Sequence, residues 1–398
     1  MFRLLRIHTV PDEGKGSTWL QLFFDLVYVA ILVELGNRLS HDLTLEGAVE
    51  FAFLFIPIWW SWLEFVLYGR YFPVDDIGQR VLTVLYMGFM LAMAFEIHDV
   101  TGETAAAFLV AYGLSKFVLA LMYARAWSQF PEYRTVTSHF AIAFVLVGVL
   151  WIGIALLAPT SLWLWGLVML IGILSPVISR FIRDLTGRSE QPHPPSKYHY
   201  MQHRFGELTI IVLGEFFIKL ATTAEDRELT TLNIYIGLCL LGVSISLWWL
   251  YFDHLEHYRL SKAGSRLGAW IYSHYPFMVG ITAYGVLGTK VFAATRDEPL
   301  DDHKRLLFVT ALTVALLAYG AIEWATKEKD EPLTRNPQPW LRFAGAAVLL
   351  ALGILGGSLH VGVLVTIVVA VFLIQIGFDV HKRLQRPESE AADSVTPA

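Results

Sequence analysis

Trp19-Leu-Gln-Leu-Phe-Phe-Asp25-Leu-Val-Tyr-Val-Ala-Ile-Leu-Val-Glu34 is the stretch on which the reading of this chain turns. It is apolar and long enough to cross a bilayer, yet it carries a carboxylate, Asp25, about a third of the way in, and a second, Glu34, near its far end. An acid at the centre of a helix in hydrocarbon costs about 2.5–3.5 kcal/mol on insertion scales, so it is kept where it has work to do. A weaker copy returns near mid-chain, His203-Arg-Phe-Gly-Glu207-Leu-Thr-Ile-Ile-Val-Leu-Gly-Glu215-Phe-Phe-Ile-Lys219. Aligning Phe23 with Phe205 places Asp25 on Glu207 and Leu26 on Leu208.

Outward from this segment the composition is that of a polytopic membrane protein. Of 398 residues 55% are hydrophobic and only 16% charged, with mean hydropathy +0.53; a soluble domain carries about 25% charged residues. Repeated apolar runs of roughly 18–25 residues have bilayer-crossing length, and 13 Trp and 16 Tyr suit aromatic belts at two interfaces. The segment from Met1 to Lys15 is polar and basic, broken at Pro11-Asp12-Glu13-Gly14, and lacks the short apolar core of a cleavable signal, so the first span is expected to insert directly. A single cysteine, Cys239, rules out an intrachain disulfide. The net charge of −5 and pI of about 6.2, with no basic stripe, point away from nucleic acid.

The expected fold class is all-α, a polytopic transmembrane helical bundle of about twelve spans arranged as two parallel six-helix repeats. The first span runs from Thr18 to Leu39, the second from about Gly47 to Leu67 with Pro57 and Trp59-Trp60-Ser61-Trp62 inside it, and the sixth reaches Ile182. A polar segment with Gln191-Pro-His-Pro-Pro195 is the strongest internal change of composition. It sets the division into an N-terminal half (1–182), a cytoplasmic linker (183–200), a C-terminal half (201–385) and a disordered tail (386–398). Three landmarks recur in order: the two acid-bearing segments, Trp59-Trp60-x-x-x-Glu64 against Trp248-Trp249-x-x-x-Asp253, and a helical hairpin closing each half. An even number of spans per half makes such copies parallel.

Lys and Arg set the topology. The N-terminal segment, the even-numbered loops and the tail hold 22 of the 30 basic residues, which places both termini in the cytoplasm of a multi-pass protein of the cell membrane.

Candidate chemistry lies in the charges left inside the spans. Asp25 and Glu207 sit at similar depth, roughly 10 Å along their helices at about 1.5 Å per residue, and are expected to point into the bundle as a proton or cation site or, alternatively, to lock helices through an Arg, Trp or backbone partner. Glu215 and Lys219, four apart, share a helix face and can neutralise each other. Glu64 and Asp253 close the two Trp-Trp spans and could form a coupled pair, or simply cap their helices. His203 belongs to a His199–His203–Glu207 row, and His254 and His257 flank Asp253 at helical spacing; either group could ligate a transition metal, although polar helix ends account for them as well and no metal or cofactor is assigned. No P-loop, G-x-S-x-G or kinase signature is present.

Leu22-Phe23-Phe24-Asp25-Leu26-Val27-Tyr28-Val29, together with Arg204-Phe205-Gly206 and Thr209-Ile-Ile-Val-Leu-Gly-Glu215, resembles the two signature blocks of the bacterial low temperature requirement protein A (LtrA) family. The Asp75-Asp76…Arg80 loop is also similar to that family's pattern. The resemblance runs over nearly the whole chain and implies an integral membrane protein linked by its family name to growth in the cold. It identifies Phe24, Asp25, Arg204, Gly206, Gly214 and Glu215 as motif positions. The chain departs from the pattern at Gln21, where the family usually has Glu, and at His203 and Glu207, where an acid has moved one helical turn along the same face.

The expected function is a secondary transporter or proton/ion pathway whose site, lined by Asp25, Glu215, Lys219, Glu207, Glu64, Asp253 and Arg204, lies between the halves. The alternatives are a membrane-embedded enzyme acting on a lipid-linked substrate, with His203, His254 and His257 as its candidate centre, and a non-catalytic membrane stress protein. The expected partners are the lipid bilayer and a small-molecule or ion substrate.

Overall fold

A computed structural model describes residues 18–72, 74–186, 198–225, 228–257, 259–260, 264–327 and 339–384. They form twelve α-helices: α1 (Trp19–His41), α2 (Leu45–Tyr71), α3 (Ile77–Glu96), α4 (Ala105–Gln129), α5 (Arg134–Leu157), α6 (Leu162–Thr186), α7 (Tyr198–Glu225), α8 (Thr231–His257), α9 (Gly264–Phe292), α10 (Asp302–Ala325), α11 (Pro339–Leu355) and α12 (Val361–Leu384). Two-residue strands β1 (Arg259–Leu260) and β2 (Thr326–Lys327) pair antiparallel.

Local chemistry explains where these helices begin. At α1, Thr18 Oγ1 accepts from the Gln21 backbone N–H at 3.3 Å while Gln21 Oε1 accepts from Thr18 N–H at 2.9 Å, a capping box that satisfies two otherwise orphaned donors. Asp76 caps α3 through Gln79 N–H, and Asp301 caps α10 through the N–H groups of His303 and Lys304. In hydrocarbon a helix satisfies its backbone internally, which is why apolar segments of this length adopt it.

Among the described residues, nine helices are long and apolar enough to cross a membrane: α1 to α5, α8 and α10 to α12. The expected count of about twelve is therefore met in helices but not in spans. For two of the others the reason is compositional: α7 is interrupted by His203, Arg204, Glu207, Glu215 and Lys219, and α9 is diluted by His, Tyr, Gly and Pro276; of α6, only Leu162–Leu174 enters this comparison, because the side chains beyond lie outside the described residues. Apolar side chains left outward on α5, among them Ile142, Leu146, Val149 and Leu157, are what a lipid-facing helix presents. The expected linker falls mostly outside the described residues, as does the tail; residues 183–186 continue α6, and 198–200 open α7.

The chain divides into two compact units, Met1–Asp42 with Glu46–Ile211, and Leu43–Leu45 with Val212–Ala398. In the first, α4 packs against α3 and α5, α1 packs against α3, and Trp60 and Phe53 of α2 approach Gly172 and Gly166 of α6. Gly113 of α4 and Gly148 of α5 allow a close crossing: a Cβ on Gly113 would stand 3.0 Å from the Gly148 carbonyl oxygen, and one on Gly148 would stand 2.9 Å from that of Gly113. In the second unit, α10 packs against α9 and α11, and α12 against α8. There a Cβ on Gly280 of α9 would meet the Ala311 carbonyl oxygen of α10 at 2.7 Å. Small residues that let backbones approach are the usual means of joining helices in lipid, where apolar burial supplies little drive.

Candidate functional site

In the first unit, α1, α2 and the start of α7 build one charged site in an aromatic shell. Asp25 of α1 is fully buried. Its Oδ1 accepts from the indole Nε1–H of Trp62 on α2 at 2.8 Å and from Arg204 Nη2 on α7 at 2.6 Å. Arg204 is fully buried too, and its Nη1 donates to Glu207 Oε2 at 3.3 Å. One guanidinium thus reaches two carboxylates. The second Asp25 oxygen, Oδ2, has no hydrogen-bond partner among the described residues.

The walls are rings. Trp59 stacks on Trp62 with centroids 5.4 Å apart, Phe205 sets its edge against Trp62 at 4.9 Å, and Phe24 and Phe65 lie 4.3 Å apart. Such surroundings strengthen every charge–charge interaction inside them and raise the cost of an unpaired ion. At one edge Gln21 Nε2 donates to Tyr200 Oη at 2.9 Å. Gly69 of α2 permits this, because a Cβ there would lie 2.3 Å from the same oxygen.

The charged side chains of α7 at this site differ in exposure. Arg204 is inaccessible, the Glu207 side chain is 14% exposed and the His203 side chain 45% exposed. His203 Nδ1 stands 3.5 Å from Glu207 Oε1.

The other sequence candidates occupy separate places. Glu64 of α2 pairs with Lys116 of α4, whose ammonium is fully buried and lies 4.0 Å from the Tyr112 ring centroid. Glu215 and Lys219 pair within α7, Nζ to Oε1 at 2.8 Å, with Glu215 buried; they fall in the second unit, as do Asp253 and His254. Asp253 is half-buried, and the Nε2 of buried His254 lies 3.1 Å from Thr326 Oγ1. The side chain of His257 lies outside the described residues. Among the described residues, no three or more His, Cys, Asp or Glu side chains converge as a metal site would require.

A family profile described as Bacterial low temperature requirement A protein (LtrA) matches residues 16–376. The chain belongs to the LtrA family. It is also similar to an uncharacterized protein of Rhizobium meliloti (strain 1021), RA0937, with 24% identity over 293 residues that cover 72% of this chain and 70% of that protein. The two stretches that resemble LtrA signature blocks meet in the fold, where Asp25 of one and Arg204 of the other form the buried pair at 2.6 Å.

Some partners escaped the sequence reading. Trp62 stands in sequence only as part of an aromatic cluster, and nothing in linear spacing ties Lys116 to Glu64, 52 residues away. In the second unit Arg342 of α11 is buried between Glu323 of α10 at 3.0 Å and Asp379 of α12, with Gln375 Oε1 accepting from Nη1 at 3.2 Å. A better signal was available there: an acid in an otherwise apolar tenth span needs a cation, and Arg342 opens the next one.

Proposed function

We propose that this LtrA-family membrane protein is a secondary transporter or proton/ion pathway, multi-pass in the cell membrane with both termini in the cytoplasm, and that Asp25 is its central working carboxylate. The observation that carries the reading is the asymmetry at Asp25. One oxygen is held by Arg204 and Trp62, while the other is buried without a partner among the described residues. A purely structural ion pair would be expected to satisfy both oxygens, because a half-satisfied buried network is costly. An acid with a free oxygen is suited to accept a proton or a cation.

Recurring contacts inside the two units support internal duplication, the architecture common among transporters. In the first unit Tyr86 of α3 donates to the Ser61 carbonyl of α2 at 2.8 Å, its ring 5.8 Å from that of Phe24 on α1. In the second, Tyr284 of α9 donates to the Leu240 carbonyl of α8 at 2.7 Å, its ring 5.1 Å from that of Phe216 on α7. A tyrosine also links α2 to α4, Tyr68 to the Met122 carbonyl at 3.4 Å, and another links α10 to α8, Tyr319 to the Leu250 carbonyl at 2.5 Å. The halves on this reading are helices α1–α6 and α7–α12, and Glu207, which also meets Arg204, is a further member of the Asp25 site.

The test is flux into proteoliposomes driven by an imposed pH gradient, across a panel of inorganic ions and small solutes. Transport that requires the gradient and is abolished by Asp25→Asn is expected. Unchanged transport in that variant would remove Asp25 from the pathway.

A further inference from the structure

We infer that the C-terminal end of α1 carries a second site, apart from Asp25, which binds a small organic cation: a primary ammonium on an apolar arm. Glu34 is its recognition carboxylate. The site stands whether or not the protein transports anything.

The first observation is a cavity. About 560 Å³ of space opens between the last turns of α1, the first turns of α2 and the 3-10 turn Ile97–Asp99 that follows α3. Small-molecule sites run at about 300–1,000 Å³, and a bare ion fills far less. Among the described residues no three His, Cys, Asp or Glu side chains converge there as protein ligands to a metal. The space therefore suits a molecule with bulk of its own.

The second observation is Glu34. It lies about 10 Å before the end of α1, at about 1.5 Å per residue. Even so it is exposed, and it lines this cavity with no hydrogen-bond or ion-pair partner among the described residues. A carboxylate that far inside a span is kept out of hydrocarbon and faces either a partner or a water-filled space. Here it faces the space.

The sign of the ligand follows from Arg38, one turn further along α1. Its guanidinium is already held. Nε donates to Glu50 Oε1 at 2.8 Å, Nη1 to the His98 carbonyl at 2.7 Å and Nη2 to Thr101 Oγ1 at 2.9 Å. An anion entering the cavity would have to displace these bonds. Asp42 is folded over Gly47 of α2, where a Cβ would stand 2.7 Å from its Oδ2. Glu34 is the carboxylate left open to a newcomer, with the Asn37 amide on the same wall. An ammonium brings the donors that both of these accept. Leu39 and Phe51 also line the cavity. They supply an apolar surface for the ligand's arm, and the ring adds attraction for the charge.

Calorimetric titration of the full-length protein in detergent with 2-phenylethylammonium tests the site, with 2-phenylethanol and phenylacetate as neutral and anionic counterparts of similar shape. The ammonium should bind saturably, one per chain. Both counterparts should bind about tenfold more weakly or worse, the loss of one hydrogen bond to a charged group. Glu34→Gln should weaken the ammonium by the same factor and leave the thermal midpoint of the free protein unchanged, because Glu34 holds no other described residue in place. Asn37→Trp, which fills the cavity while keeping every charge, should abolish binding, so the test does not hang on one variant. No saturable binding in the wild type, equal affinity for either counterpart, or undiminished affinity in either variant would overturn the proposal. None of these readings involves flux, so a failure of transport in proteoliposomes counts against the Asp25 reading and not against this one.

Discussion

The Asp25–Arg204 pair sets the energetics of the first unit, because each residue is tolerable only in the presence of the other. Removing one partner of a buried ion pair costs about 3–5 kcal/mol, whereas replacing both by neutral groups is often nearly neutral. Arg204→Met is therefore expected to lower the unfolding midpoint in detergent sharply, and a second substitution, Asp25→Asn, to restore most of the loss. Additive effects in this cycle would mean that the two side chains do not interact. Gly69 makes a sharper steric prediction. Its missing Cβ leaves room for the Tyr200 hydroxyl, so Gly69→Ala should destabilise by about 1–3 kcal/mol as an overpacked site. Tyr200→Phe in the same chain should recover part of that, less the hydrogen bond from Gln21. No recovery would show that the hydroxyl is not what the new methyl meets.

At the scale of the elements, helices were legible where apolar length and caps agree. Thr18 opens the first span in sequence as it does α1 in space, whereas the Asp76 cap that starts α3 at Ile77 was not part of the expectation. The hairpin between α11 and α12 was equally plain, closed by a 3-10 turn at Gly356–Ser358. What sequence could not supply was pairing. Asp25 was recognisable as an acid out of place, but its partner lies 179 residues on, and helical spacing carries no information across that separation. The same limit hid Lys116 from Glu64 and Asp379 from Arg342. The close crossings are testable at this scale. Gly113→Leu should force α4 and α5 apart and lower stability by several kcal/mol, as an unaccommodated side chain against backbone does. Gly153→Leu on α5, where a Cβ meets nothing within 4 Å, should be tolerated. Equal effects of the two substitutions on the thermal midpoint would contradict the packing described.

For the whole molecule, the excess of basic residues in alternate loops predicts cytoplasmic termini. Reporter domains fused at each end, active on only one side of the membrane, should both report the cytoplasm; opposite sides would require an odd number of crossings. The larger claim is that a buried acid among apolar helices is there to move charge rather than to hold helices together. Both roles predict that Asp25→Asn alone is damaging, so the decisive protein is the double variant Asp25→Asn with Arg204→Gln, which removes the charges while keeping polar side chains of similar shape. Its gradient-driven flux in proteoliposomes, measured beside its thermal stability, is the most direct test. Stability recovered with flux still absent is the predicted result; flux returning together with stability would contradict the account and leave the pair as a structural clasp.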